Sequence, residues 1–248
     1  MMLSVLQKTP ILIKEPYPHF IIEDCLPDQI YDQLEKDWPA QQLLATEPFD
    51  DGICYRLKSD QMLKQGVVST LWKEFTEYHT SIVFYTQVQE VFADYMKDKD
   101  PTLGPRGWVD KSATVWTDCQ AVMHEPIRTT SRTPHIDNPR EMYAGLLYMP
   151  YADDTSTGGE FQIHDAKQDV KQVNITQGRQ VLENDLGAPV VTVPYKRNTF
   201  VMFANTTPNA IHGVTPRANA TLHRRSVNII AEYSRRSNKS MYSITEVK

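Results

Sequence analysis

The hydrophobic positions of this chain change period near residue 111. Before that point apolar residues recur at helical spacing. Ile30, Leu34 and Trp38 share one face of a segment that Asp24 or Pro27 starts and Pro39 stops. A longer helical pattern over about 69–97 carries Leu71, Phe75, Tyr78, Val83, Val88, Val91, Phe92 and Tyr95, and this stripe predicts core packing. The stretch 18–27 reads as a short strand and then a turn. A loop is expected around Pro48, Asp50, Asp51 and Gly52, and another over 98–107, where Pro101, Gly104 and Pro105 join rather than link.

From Lys111 the pattern turns β-like. Strands are predicted over 114–122, 142–149, 160–164, 190–193, 198–203 and 224–233. Turn residues over 153–159 and a polar insertion over about 165–189 separate them. Several short strands joined by turn signals predict a sandwich or barrel. The expected organisation is one domain over 1–248. It has helical N-terminal support over 1–110, a β core over 111–235 and a tail over 236–248.

Composition narrows the possibilities. The chain has 248 residues, 40% hydrophobic and 23% charged, as in an ordinary soluble globular protein. Its net charge of -5, pI ≈ 5.8 and lack of a basic block disfavour nucleic acid as a partner. No apolar run approaches the roughly 20 residues of a membrane span. Gln7, Lys8 and Lys14 interrupt any secretory pattern at the start. Cys25, Cys54 and Cys119 are far apart and odd in number, which fits reduced, buried thiols in a cytoplasmic protein.

The chemistry centres on Thr133-Pro134-His135-Ile136-Asp137-Asn138-Pro139. In an extended segment, side chains two apart point to one side. His135 and Asp137 can therefore present a nitrogen and an oxygen to one point, two thirds of a 2-His-1-carboxylate facial triad. A third ligand should lie well downstream at a strand edge. His212 fits best, with His223 and then His164 as rivals. Arg224 and Ser226 share a face of the last predicted strand and could fix a carboxylate, since a guanidinium matches that group's planar fork. Arg225 would point to the opposite face.

On these residues the sequence resembles the Fe(II)/2-oxoglutarate dioxygenases, especially the prolyl-hydroxylase-like branch. The likeness covers roughly 111–233 and is weaker near 18–34. It runs in order through His135-Ile136-Asp137-Asn138-Pro139, Leu147-Tyr148-Met149, Gly158-Gly159-Glu160-Phe161, Pro194 with 198–203, His212-Gly213-Val214-Thr215-Pro216 and Arg224-Arg225-Ser226. It implies a mainly β fold with flanking helices, built on a double-stranded β-helix (jelly roll, cupin-like) core. It also implies iron ligands at His135, Asp137 and His212. Arg224 and Ser226, with Tyr148, match the residues that hold the far carboxylate of 2-oxoglutarate. The gap from His212 to Arg224 is longer than usual, which keeps Arg225 and Arg217 open as alternative anchors.

The implied activity is hydroxylation of an unactivated C–H bond by Fe(II), 2-oxoglutarate and O2, with release of succinate and CO2. Keeping Asp137 favours this over halogenation, because halogenases of this kind lack the carboxylate. A small molecule or an amino-acid or peptidyl side chain is the expected partner. Gln120, His124, Arg128, Arg132 and Arg140 are candidates for the substrate opening, and Glu160 and Gln162 could face the barrel. The competing expectation is a non-oxidative cupin-like isomerase or metal-binding module.

Overall fold

The computed structural model describes residues 3–49, 52–96, 101–106, 112–126, 132–170, 173–174, 178–182 and 184–242. Its helices are α1 (Asp28–Lys36), the single turn α2 (Ser59–Met62), α3 (Thr70–His79) and α4 (Ile82–Val91). The predicted helix over 69–97 is thus two helices. The Ser81 side chain accepts a hydrogen bond from the Phe84 amide and starts α4, as Ser69 does for α3 through Trp72. A hydroxyl in that position offers the backbone a start that competes with continuing the helix.

The strands are β1 (His19–Ile22), β2 (Ala45–Phe49), β3 (Gly52–Leu57), β4 (Leu103–Pro105), β5 (Val115–His124), β6 (Arg132–Ile136), β7 (Glu141–Tyr148), β8 (Phe161–Ala166), β9 (Arg179–Gln180), β10 (Leu186–Val193), β11 (Phe200–Ala204), β12 (His212–Val214) and β13 (Arg224–Tyr233). They form two sheets. The larger runs β1-β11-β7-β13-β5-β3-β2, with β4 against β5, and the smaller runs β10-β8-β12-β6-β9. This is the mainly β architecture expected, with one difference. The stretch expected as a loop near Pro48 is the β2–β3 hairpin, which extends the larger sheet. The N-terminal third therefore supplies strands as well as helices.

Each strand of the larger sheet has two characters, because successive side chains point to opposite faces. One face carries Cys119, Ala121, Val227, Ile229, Tyr143, Leu147, Phe200 and Met202, which pack with Trp72, Phe75, Phe84 and Val88 of the helices. The other face looks toward the smaller sheet. There the register sets Asn228 beside Gln120 and Leu146, and Ser226 beside Val122 and Tyr148. The main apolar core thus lies outside the sheet pair, under the helices. The space between the sheets is mixed, with an apolar end built from Tyr17, Phe161, Ile163, Val201 and Phe203.

The polar insertion is not merely a surface loop. Within it β9 pairs with β6, and Val170, Val173 and Val181 bury themselves on Ile136 and Ile211. Gly178 allows the close approach. Its φ is +72, and an added Cβ would stand 2.0 Å from the carbonyl oxygen of Ile136.

His79 is fully buried in the helical layer. Its Nδ1 lies 2.8 Å from the Phe75 carbonyl, and its Nε2 accepts from the Val5 amide at 3.2 Å. Burial pushes its pKa down to about 3, so the folded chain keeps it neutral. The unfolded chain takes up this proton below about pH 6.5, so the stability due to neutral His79 is full above that pH and falls away toward about pH 3. His79→Gln should therefore be less stable than the wild type at pH 7.5, with the gap narrowing by about 2 kcal/mol at pH 5 in urea unfolding.

Gly178→Ala combines a left-handed backbone, costing about 1–2 kcal/mol, with a backbone collision. Gly66 has φ +75 but nothing within 4 Å of an added Cβ. Thermal unfolding should show a clearly larger loss of Tm for Gly178→Ala than for Gly66→Ala.

Candidate metal centre and its cavity

Two neighbouring strands of the smaller sheet bring the ligands together. β12 pairs with β6 so that His212 stands directly opposite His135, and their ring centroids lie 4.3 Å apart. Asp137 follows the last residue of β6 and comes to the same side. Its Oδ1 lies 3.4 Å from His135 Nε2 and its Oδ2 lies 3.4 Å from His212 Nε2. Three donor atoms at ~2.1 Å from one ion, at right angles, would be about 3 Å apart. All three donors here lie within 4.8 Å of one another.

The chain also fixes which nitrogen faces the ion. His135 Nδ1 lies 2.8 Å from the Thr133 carbonyl, and His212 Nδ1 lies 3.1 Å from the Ala210 carbonyl. A carbonyl can only accept, so Nδ1 carries the proton in both rings and Nε2 keeps its lone pair. Burial, then the Arg132 and His212 charges, pushes the His135 pKa down to about 4, which keeps it a neutral ligand. Burial alone would raise the Asp137 carboxyl. The two imidazoles outweigh it and hold Asp137 well below the usual range, as an anion.

Packing holds these side chains still. The His212 ring stacks on Phe161 with centroids 5.4 Å apart and tilts against Phe203 at 4.4 Å. Tyr17 Oη donates to the Ile211 carbonyl at 3.0 Å, just before the ligand. The Ile136 and Ile211 side chains anchor both ligand strands in the apolar cluster behind the site.

A cavity of ≈ 160 Å³ opens in front of the triad. Ala144, Leu146, Phe161, Phe203 and Val214 line its apolar part, while Arg56, Arg106, Arg132, Arg224 and Glu141 bring charge. The triad sits on the smaller sheet, and Arg224, Ser226 and Asn228 face it from β13 of the larger one. Arg224 Nε donates to the Gly159 carbonyl at 3.2 Å, and its guanidinium lies 5.2 Å from the Tyr148 ring centre. One terminal nitrogen of Arg224 and the Tyr148 hydroxyl are buried with no hydrogen-bond partner. Burial pushes the Tyr148 phenol up, so it stays protonated and can donate.

The alternatives named from sequence lie elsewhere. Arg225 points to the other face, donates to the Met149 carbonyl and pairs with Glu35 of α1 at 3.1 Å. Arg217 is tied to Asp154, Ser156 and the Leu222 carbonyl. His223 packs against Tyr55, and His164 sits on the strand position next to Ile163, the residue opposite His212, so it faces away from the triad.

Among the substrate candidates, Arg132 and His124 line the cavity, and Arg128 lies outside the described residues. Gln120 is on the inner face but is engaged by Arg56 at 3.1 Å and by Asp118 at 2.6 Å, behind the wall. Arg140 does not reach the opening. It turns back to the carbonyls of Ser234 and Ser237 and ties down the chain after β13. Glu160 and Gln162 also face outward, because Phe161 and Ile163 between and beside them take the inner positions. Arg56, Arg106 and Glu141 were not foreseen. Glu141 opens the alternating run of β7, the one signal that could have found it, but nothing in sequence ties the two arginines to the site.

Glu141 accepts from Asn138 Nδ2 at 2.7 Å and lies 3.9 Å from Arg106, which also pairs with Glu232 at 2.9 Å. Burial, followed by the nearby Asp137 charge, raises the Glu141 pKa to about 8. His124 sits where three guanidiniums converge. Burial, then Arg224, Arg56 and Arg132, holds its pKa well below the ordinary value.

No helix among the described residues is long and apolar enough to cross a membrane. Cys25, Cys54 and Cys119 are free and buried.

Comparison with known proteins agrees with this geometry. The profile of the 2OG-Fe(II) oxygenase superfamily matches residues 120–231, a span that contains all three ligands. No curated protein matches the chain. Among solved structures it is similar to a Pseudomonas putida prolyl-4-hydroxylase, with a TM-score of 0.53 at 12% identity over 87% of this chain and 92% of that one. It is also similar to the epimerase SnoN, solved with Fe3+, alpha ketoglutarate and nogalamycin RO, with a TM-score of 0.53 at 8% identity over 87% of this chain and 78% of that one. At these identities the likeness establishes the fold, a double-stranded β-helix. The superfamily uses Fe(II), 2-oxoglutarate and O2, and the His135, Asp137 and His212 donors suit the iron. The profile match spans the ligand-bearing strands and the fold assembles the triad from them, so residues 120–231 carry the core of a 2OG-Fe(II) oxygenase.

Proposed function

We propose that the protein hydroxylates an unactivated C–H bond of a small molecule or of an amino-acid or peptidyl substrate, converting 2-oxoglutarate to succinate and CO2. The observation that carries this reading is the pair of unsatisfied donors across the cavity from the triad. A buried guanidinium nitrogen and a buried phenol without partners are costly, at about 1–3 kcal/mol or more each, and both suit a carboxylate. Arg224 and Tyr148 are therefore assigned to the far carboxylate of 2-oxoglutarate, with Ser226, whose hydroxyl donates to Asn228 Oδ1 at 3.0 Å, beside them on the same face of β13. The triad on the smaller sheet would hold the iron, and Arg224 and Tyr148 on the larger sheet would receive that carboxylate.

Iron with 2-oxoglutarate and O2 supplies the oxidising power when bound. The residues of the chain supply position. The two imidazoles and Asp137 would hold the ion, and all three line the cavity. Phe161, Phe203 and Leu146 give that space an apolar wall that would exclude water from around a bound cosubstrate. Retention of Asp137 supports hydroxylation over halogen transfer, since its carboxylate would be the third protein ligand to the iron. The neighbouring folds include a hydroxylase of prolines and an epimerase, which supports both peptidyl and small-molecule substrates as classes to test.

Anaerobic addition of Fe(II) and 2-oxoglutarate should give a visible charge-transfer band that His135→Ala abolishes. Folded wild-type protein without a band would sink the oxygenase reading. The same titration should show Arg224→Ala weakening 2-oxoglutarate binding by roughly tenfold or more, because charge-assisted contacts contribute about 1.5–3 kcal/mol each. Arg225→Ala should leave that affinity nearly unchanged and lower Tm instead, because it severs the tie to Glu35. Succinate release across a metabolite and peptide library identifies the substrate.

A further inference from the structure

β13 keeps its β7 partner only from Ser226 onward, where Ser226 stands opposite Tyr148. β7 ends at Tyr148, and Pro150 follows two residues later. One step beyond the last pair, Met149 stands opposite Arg225. In a regular antiparallel ladder such a pair exchanges two backbone hydrogen bonds. Here only one is made. The Met149 amide donates to the Arg225 carbonyl at 3.2 Å, but the Met149 carbonyl accepts from the Arg225 side chain instead, at 2.9 Å.

Tyr195 takes the place of the missing partner. Its Oη accepts from the Arg225 amide at 2.7 Å and donates to the Arg225 carbonyl at 3.1 Å. Burial pushes the Tyr195 phenol up to about 12, so it keeps the proton that this donation needs. One hydroxyl thus closes the end of the ladder at the residue next to Arg224.

The same clasp sets the Tyr195 ring against Arg224. The Arg224 guanidinium carbon lies 4.9 Å from the Tyr195 ring centre and 5.2 Å from that of Tyr148. The two ring centres are 5.4 Å apart and the rings are inclined at 69°. The guanidinium therefore sits in a corner between two aromatic rings, where cation–π attraction holds it. Its Nε is occupied by the Gly159 carbonyl, and one terminal nitrogen is buried without a partner. Ordering a long side chain at the moment of binding lowers affinity. Here the order exists before any carboxylate arrives.

We propose that Tyr195 is a positioning residue for the cosubstrate: its hydroxyl clasps the Arg225 backbone so that its ring holds the Arg224 guanidinium aimed at the far carboxylate. Because that hydroxyl is engaged by Arg225, Tyr195 acts through Arg224 rather than on the ligand. This rests on the oxygenase reading above, with Arg224 as the anchor.

The test titrates the anaerobic Fe(II) protein with 2-oxo acids and reads the charge-transfer band. 2-Oxoglutarate is compared with 2-oxopentanoate, which has the same chelating end but a methyl group in place of the far carboxylate. Tyr195→Leu removes ring and clasp, and should weaken 2-oxoglutarate about fivefold or more while 2-oxopentanoate changes less than about twofold. Tyr195→Phe keeps the ring and loses the clasp, and should weaken 2-oxoglutarate selectively by about threefold. Added to Arg224→Ala, Tyr195→Leu should cost no further 2-oxoglutarate affinity, because two residues that act as a unit are not additive. A side chain that only stabilised the fold would weaken both acids alike, or add its full loss to that of Arg224→Ala. Where Tyr195→Leu forms no band with either acid, Tyr195→Phe decides on the same terms. Wild-type protein without a band sinks the oxygenase reading and this proposal with it. Unchanged affinity in Arg224→Ala removes the anchor. With band and anchor in place, unchanged 2-oxoglutarate affinity in Tyr195→Leu, equal losses for both acids, or a full further loss on top of Arg224→Ala overturns the role of Tyr195 alone.

Discussion

The antiparallel pairing of β12 with β6 is the contact on which the rest of the site depends. It places His212 opposite His135, and the strand geometry then brings Asp137 to the same side without further help. A slip of one residue would send one imidazole to the far face, and no local adjustment could restore three donors. The register is therefore guarded from both sides. In front, Phe161 and Phe203 clasp the His212 ring. Behind, Ile136 and Ile211 are sealed under the valines of the insertion. A segment that reads as polar filler in sequence thus acts as the backing plate of the metal centre.

The larger sheet solves a different problem. An interior that must hold charged cosubstrates cannot also be the main source of hydrophobic stabilisation, since buried polar groups without partners are costly. This chain separates the two. The apolar face of β5, β7, β11 and β13 packs on the helices, and the opposite face carries Arg224, Ser226, Asn228 and their neighbours. One residue step along β13 takes the chain from a cavity arginine to one that fastens α1 through Glu35. The adjacent Arg224 and Arg225 do different work because of that step.

This parity explains what was legible in the sequence. The two-residue spacing of His135 and Asp137, the position of His212 and the facing of Arg224 all follow from strand alternation, which sequence displays directly. Breaks in alternation are what sequence hides. The β2–β3 hairpin looked like a loop because of Pro48 and Gly52, so Arg56 had no visible route to the site. Glu160 and Gln162 were expected inside, yet Phe161 and Ile163 take those positions because the apolar cluster between the sheets outcompetes them. Arg140 was near the motif in sequence, but its hydrogen bonds lead to the chain after β13. The helix expected over 69–97 broke because Ser81 offers a cap, a local preference that a long apolar stripe conceals.

The bulge in β6, where His212 stands opposite His135 but Val214 stands opposite Arg132, belongs to this last group, and it has the most chemical weight. Without it Arg132 would fall on the face of β6 opposite to His135. With it Arg132 reaches the same space as the ligands, its Nε donating to His135 Nε2 at 2.9 Å. The pairing irregularity thus decides which side chains of β6 share the cavity with the ligands, and strand alternation alone could not have shown it.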